Sequence, residues 1–150
     1  MDGASGAPPA RLRRLASRLV NLVALHANRL VDARLGAVDA RRYHYALLAA
    51  LEEFGPASQV ALGRRSGIDR SDVVATINEL CARGFVERTP DPADRRRNVI
   101  TITPAGRQQL RRLEAILDEA QDALLAPLSA AEREELRRLL TRVVDHHASW

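Results

Sequence analysis

A chain of 150 residues with 46% apolar composition fits one ordinary domain with a buried core, which excludes a chain disordered throughout. Its longest uninterrupted apolar run, residues 45–51, is far short of the roughly 20 residues that span a bilayer, and no apolar signal segment follows Met1; a soluble, cytoplasmic protein is expected. All 23 basic residues are arginine, and the excess is central: residues 56–112 hold 11 Arg against 6 acids, a net of +5, while the remainder holds 12 against 13, a net of −1, giving the overall +4.

Taken in order, residues 1–9 are small, polar and proline-containing, and read as a disordered tail. From Leu12 the residues Leu15, Leu19, Leu22, Val23, His26, Leu30 and Val31 recur at three and four, which predicts one helix to about residue 35, ended by Gly36. A second helix, starting near Asp39, carries Tyr43, Leu47, Leu51 and Phe54 on one face. It stops at "FGP", where Gly55 can take a left-handed cap and Pro56 cannot continue.

Two short helices follow across a tight turn. Ser58 can cap the first, through "QVALGRRSG", and Asp69 can cap the second, over residues 70–83. In the second, Val73, Ile77, Leu80 and Cys81 form the apolar stripe and leave Ser71, Asp72, Ala75, Asn78 and Ala82 outward. The next segment breaks the helical rhythm: "FVERT" and "NVITIT" are β-branched and alternating, and "PDPADRRR" joins them as a two-stranded hairpin with a charged tip.

Thr103 then Pro104 read as N-cap and first helical position of a long helix striped by Leu110, Leu113, Leu117 and Leu124 and ended by Pro127. Ser129 with Glu132 is a capping box that opens a last helix striped by Leu136, Leu139, Leu140, Val143 and Val144.

The fold class expected is mainly α with a small β-hairpin. Helix, tight turn, helix and ribbon is the order of a winged helix-turn-helix, whose second short helix enters the DNA major groove while the ribbon forms the wing. The cation-rich centre then points to an anionic partner, nucleic acid first, against the alternative of a solvated basic face.

The run "SGIDRSDVVATINELCARGFVERTPDPADRRRNVITITPAG" resembles the MarR family of bacterial transcriptional regulators, in its recognition helix, its Leu-x-x-x-Gly-Phe-Val, its Asp-x-Arg wing and its Ile-Thr-x-x-Gly. The resemblance covers roughly residues 39–113. It implies a single domain over residues 10–150, with a winged helix-turn-helix at about 39–103 and dimerisation helices at about 10–35 and 104–148. The activity it implies is that of a homodimer binding a palindromic double-stranded DNA operator, as a ligand-responsive repressor.

By this likeness Asp94 and Arg96 form the Asp-x-Arg pair, the carboxylate holding a guanidinium that enters a minor groove, where a narrow groove is most negative. Arg95 and Arg97 would meet phosphates, as would Arg64, Arg65 and Ser58, and Arg70 would reach guanine or a phosphate. Ser71, Asp72 and Asn78 complete the DNA-facing set. The recognition helix departs from the common family pattern at Asp72, where Ser or Thr is frequent, and at Ala75, where Arg is frequent. Asp72 either accepts from cytosine N4 or caps the helix and favours its dipole.

The likeness also implies a small aromatic or anionic effector in the crevice between dimer helices and winged domain, where His26, Arg42, Tyr43 and His44 are the polar groups. Tyr43 and His44 equally fit the edge of a core stripe, and His26 a hydrogen bond across the dimer. Nothing in the chain resembles a phosphate loop, a His-Glu-x-x-His or a nucleophile elbow, so neither enzyme chemistry nor a cofactor is expected. Adjacent His146 and His147 lack the spacing of helical metal ligands, and Cys81, the one cysteine, suits a small core residue in a reducing compartment. The competing class is a winged-helix interaction module that binds protein or RNA.

Overall fold

The computed structural model describes residues 6–148. Its elements run α1 (Ala10–Arg13), α2 (Ala16–Gly36), α3 (Arg42–Phe54), β1 (Ala57–Ser58), α4 (Gln59–Ser66), α5 (Arg70–Ala82), β2 (Val86–Pro90), β3 (Asn98–Ile102), α6 (Pro104–Leu124) and α7 (Ala130–His147). Of the expected tail, residues 1–5 lie outside the described residues, and 6–9 carry no regular element.

Several boundaries differ from expectation for physical reasons. The first helix is two, broken at Arg14 and an extended Leu15, in a stretch where no residue is buried and packing cannot enforce continuity. α3 begins at Arg42, three residues later than expected, because Asp39 turns the chain with φ 55°, a left-handed conformation that Asp tolerates better than most side chains. Gly55 has φ 82° and ψ −173°, so it ends α3 in a region open only to glycine, and not in the left-handed helical cap.

The hairpin is also wider than its sequence pattern. β2 pairs antiparallel with β3 from Val86↔Ile102 to Pro90↔Asn98, and β1 adds a third strand on the other side of β3 through Ala57↔Ile100 and Ser58↔Val99. Ser58 then caps α4 directly, its Oγ accepting from the Ala61 N–H at 3.2 Å. Asp69 occupies the N-cap position of α5 but makes no side-chain capping bond.

The core gathers Leu35 of α2, Leu47, Leu48 and Leu51 of α3, Leu62 of α4, Val73, Ile77 and Leu80 of α5, Val86, Ile100 and Ile102 of the sheet, and Leu110 and Leu113 of α6. Each such side chain contributes about 1.5–3 kcal/mol on burial. Tyr43 and Phe54, expected on the buried face of α3, are 42% and 54% exposed; that face is rotated onto His44, Leu47, Leu48 and Leu51.

The opening of α6 locks to the sheet. Thr103 Oγ1 accepts from the Gly106 N–H at 3.0 Å and donates to the Gly84 carbonyl at 2.7 Å, while the Thr103 N–H reaches the Phe85 carbonyl at 3.1 Å. Ser129 and Glu132 form the reciprocal capping box that opens α7. In contrast with this core, α7 has no buried residue, and Leu19, Val20, Val23 and Leu25 of α2 stay exposed alongside Leu139, Leu140, Val143 and Val144 of α7.

Candidate nucleic-acid interface

The N-terminal turns of α4 and α5 and the loop between β2 and β3 converge on one groove of about 510 Å³. Four guanidinium side chains line it, those of Arg64, Arg70, Arg96 and Arg97, together with Ser58 and Asn98, and no carboxylate is among the lining residues. The first turn of α4 adds backbone N–H groups with no helical partner, which complement anionic oxygen. A cation-lined groove with polar donors at its floor and one finger-like edge is suited to phosphate backbone, with the finger reaching beyond it.

The loop of residues 91–97 is braced from within. The Asp94 Oδ1 accepts from the Arg96 N–H at 3.1 Å and from the Arg96 Nε–H at 3.2 Å, while Arg97 Nε stands 3.8 Å from Asp94 Oδ2. Asp91 accepts from the Ala93 N–H at 2.9 Å, and the Asp91 N–H reaches the Arg97 carbonyl at 2.8 Å. The Arg96 side chain is 92% exposed, so this ion pair adds little to stability and instead restrains where the guanidinium points. Arg97, expected to meet a phosphate, shares the same carboxylate; Arg95 has no ion-pair partner among the described residues.

On α5, Ser71, Ala75, Asn78 and Ala82 are exposed and Asp72 is half-buried in the first turn. Asp72 sits three residues past the N-cap, a position that favours the helix dipole without capping the helix. The Asn78 Oδ1 accepts from the Arg88 guanidinium, which leaves both amide N–H donors free of that bond and one lone pair on the oxygen. Sequence reasoning missed Arg88; its signal was the two-residue spacing from buried Val86, which puts both on the face of β2 toward α5. Arg65 is not brought into the groove, because its guanidinium stacks 4.6 Å from the centre of the Phe54 ring.

The four residues expected at the crevice separate. Arg42 and Tyr43 line a cleft of about 480 Å³ together with Asp32, Gly36, Ala40 and Arg41. Arg42 is held there by Asp32, 2.9 Å from its Nε, and by Asn28, 3.1 Å from its Nη1. His26 is exposed on α2. His44 does not line the cleft: it is 4% exposed, its Nδ1 accepts from the Arg41 N–H at 3.1 Å, and its Nε2 stands 2.6 Å from Glu79 Oε2. An accepting Nδ1 assigns the proton to Nε2, which donates to Glu79. The Arg41 guanidinium bonds the same carboxylate. Glu79 is held below its ordinary carboxylate pKa mainly by the His44 hydrogen bond, with Arg41 adding to it.

Among the described residues no three His, Cys, Asp or Glu side chains gather as metal ligands, and no helix is long and apolar enough to cross a membrane.

Similarity to known proteins follows this geometry. A profile of the MarR family matches residues 38–97, the span from the turn before α3 to the end of the wing loop. A putative transcriptional regulatory protein for the hcr operon of Thauera aromatica is 39% identical over 100 residues, covering 66% of this chain and 60% of that one. The HTH-type transcriptional repressor NicR of Pseudomonas putida is 29% identical over 101 residues, covering 67% and 64%. The chain therefore matches less than two thirds of the length of either relative. A crystal structure of a probable transcriptional regulator from Pseudomonas aeruginosa superposes with a TM-score of 0.77 at 32% identity, covering 89% of this chain and 99% of that one. The order of helix, turn, helix and wing, the matched profile and these relatives agree: the chain belongs to the MarR family.

Proposed function

We propose that this chain is a sequence-specific double-stranded DNA-binding transcriptional regulator that works as a homodimer on a palindromic operator, as a repressor released by a small effector. The observation that carries the reading is the groove lined by Arg64, Arg70, Arg96 and Arg97 with no carboxylate in its lining, at the junction of α4, α5 and the wing, where Asp94 restrains Arg96 from behind. α5 supplies the recognition helix for a major groove, and Arg96 reaches the adjacent minor groove. Ser58, Arg64, Arg70, Arg95 and Arg97 contact phosphates.

Uncovered apolar stripes on α2 and α7 support the homodimer, since each would be covered by the same surface on a second copy. Half-sites then lie about 34 Å apart, one turn of DNA. The cleft lined by Arg41, Arg42 and Tyr43 supports an aromatic or anionic effector, which would act by favouring one dimer geometry over another.

Titration of duplex DNA against salt tests the reading. Expected is a steep fall of affinity with ionic strength, and tighter binding to a palindrome selected from a random duplex pool than to scrambled duplex. Preference for single-stranded or duplex RNA, or no binding to DNA at physiological salt, favours an interaction module instead.

A further inference from the structure

The turn between α2 and α3 touches the recognition helix at both ends of one short segment. Arg83, the C-cap residue of α5, donates from Nη1 to the Asp39 carbonyl at 2.7 Å. One turn back along α5, Glu79 takes the Arg41 guanidinium and, at 2.6 Å, the His44 ring. Asp39 is the one non-glycine residue with positive φ among those described, so its carbonyl is aimed by a backbone conformation that neighbouring contacts must maintain. His44 is nearly fully buried and uses both ring nitrogens, one on the N-terminus of its own helix and one on α5.

We propose that residues 39–44 are the positioning element of the recognition helix: Arg41 and His44 on Glu79, with the Asp39 carbonyl on Arg83, set how α5 is seated relative to α2. This rests on the DNA-binding reading above and deepens it. Glu79 and Arg83 lie on the C-terminal half of α5, away from the groove side chains Arg64, Arg70, Arg96 and Arg97, so their effect on DNA passes through the angle of the helix and not through contact. Because Arg41 also lines the cleft between α2 and α3, the same residues connect that cleft to α5. Groups facing Glu79 are Arg41 and His44; no other ion pair to it occurs among the described residues.

The test compares full-length parent, Glu79→Ala, Glu79→Gln and Arg41→Ala for binding to a duplex selected by the parent and to scrambled duplex, with thermal melting measured in parallel. Expected for Glu79→Ala and Arg41→Ala is a loss of about tenfold in the ratio of selected to scrambled affinity, with scrambled affinity and its salt slope unchanged. Glu79→Gln, which keeps an acceptor for one partner, falls between. A purely structural role would lower the melting temperature and leave the ratio at the parent value. If the ratio is unchanged in variants that remain folded, the proposal is overturned while DNA binding stands. If the parent itself shows no duplex binding, the DNA-binding reading fails and the proposal fails with it. Should Glu79→Ala not fold, Arg41→Ala and Glu79→Gln carry the same comparison.

Discussion

Gly106 lies so close beneath Phe85 that a Cβ built on it would stand 2.0 Å from the Phe85 carbonyl oxygen. The obstacle is backbone, already engaged by the Thr103 N–H, and cannot swing aside as a side-chain tip would. Gly106→Ala is expected to destabilise by at least the 1–3 kcal/mol typical of overpacking, about the worth of one buried leucine. Gly36→Ala, where nothing lies within 4 Å, is the control and should be neutral or slightly stabilising. Thermal denaturation of the two variants checks the contrast; equal melting temperatures would remove the close approach as the reason for glycine here.

Arg96→Ala should weaken operator binding by roughly 1–3 kcal/mol, the range for a good specific contact, without unfolding an exposed loop. Asp94→Ala should lose part of the same energy, because it frees both Arg96 and Arg97 from one carboxylate. The two losses are expected to be non-additive in a double-mutant cycle. Arg96→Lys should recover little, since an ammonium lacks the planar fork. Parent-like binding by Arg96→Ala at physiological salt would contradict the role given to the wing.

Ser58→Ala removes the Oγ that caps α4 and should lower stability by about 1 kcal/mol, read from the denaturant midpoint. Ser58→Asp keeps an acceptor for the Ala61 N–H but puts negative charge in the arginine-lined groove. It should hold stability and lose DNA affinity, a separation that a titration of the folded variant would show.

Leu140→Glu with Val144→Glu places two charges in the exposed apolar stripe of α7. Since neither side chain is buried within the chain, the winged domain should keep its fold while the mass from light scattering falls from dimer to monomer. A dimeric mass for the double variant would relocate the interface.

Acid should act through Glu79. Its pKa in the folded chain is depressed, so the stability it adds is present above the ordinary carboxylate value of about 4.3 and is lost as pH falls through the lower folded value. The stability difference between parent and Glu79→Gln should therefore be constant at neutral pH and shrink below about pH 4. The side chain is 43% exposed, which keeps the effect to about 1 kcal/mol or less. Chemical denaturation at a series of pH values measures it.

What the sequence made legible is what depends on near neighbours. The caps at Ser58, Thr103 and Ser129 each join residues three apart, and the wing strands announce themselves by β-branched alternation. β1 stayed hidden because two residues have no period, and its existence depends on Val99 and Ile100, some forty residues away. The Arg41–Glu79 pair was equally invisible, since helix docking and not spacing brings it together. His44 read as a crevice residue because helical position alone does not say on which side of the stripe the neighbouring helix will arrive. Of the candidate DNA-facing arginines, Arg65 went astray for a local reason, the exposed Phe54 ring that its guanidinium covers.

Ser58 ends strand β1, opposite Val99 of the wing, and in the same residue begins the cap of α4. No linker separates the two, so the wing cannot tilt without carrying the start of α4 along with it. On the proposed DNA-binding reading, the protein would measure its ligand like a calliper with fixed jaws, one jaw on a phosphate at α4 and the other on a groove edge at Arg96. A duplex with the groove widths of B-form DNA would then be expected to fit both at once. An A-form helix, with its deep narrow major groove and shallow minor groove, would engage one jaw and miss the other.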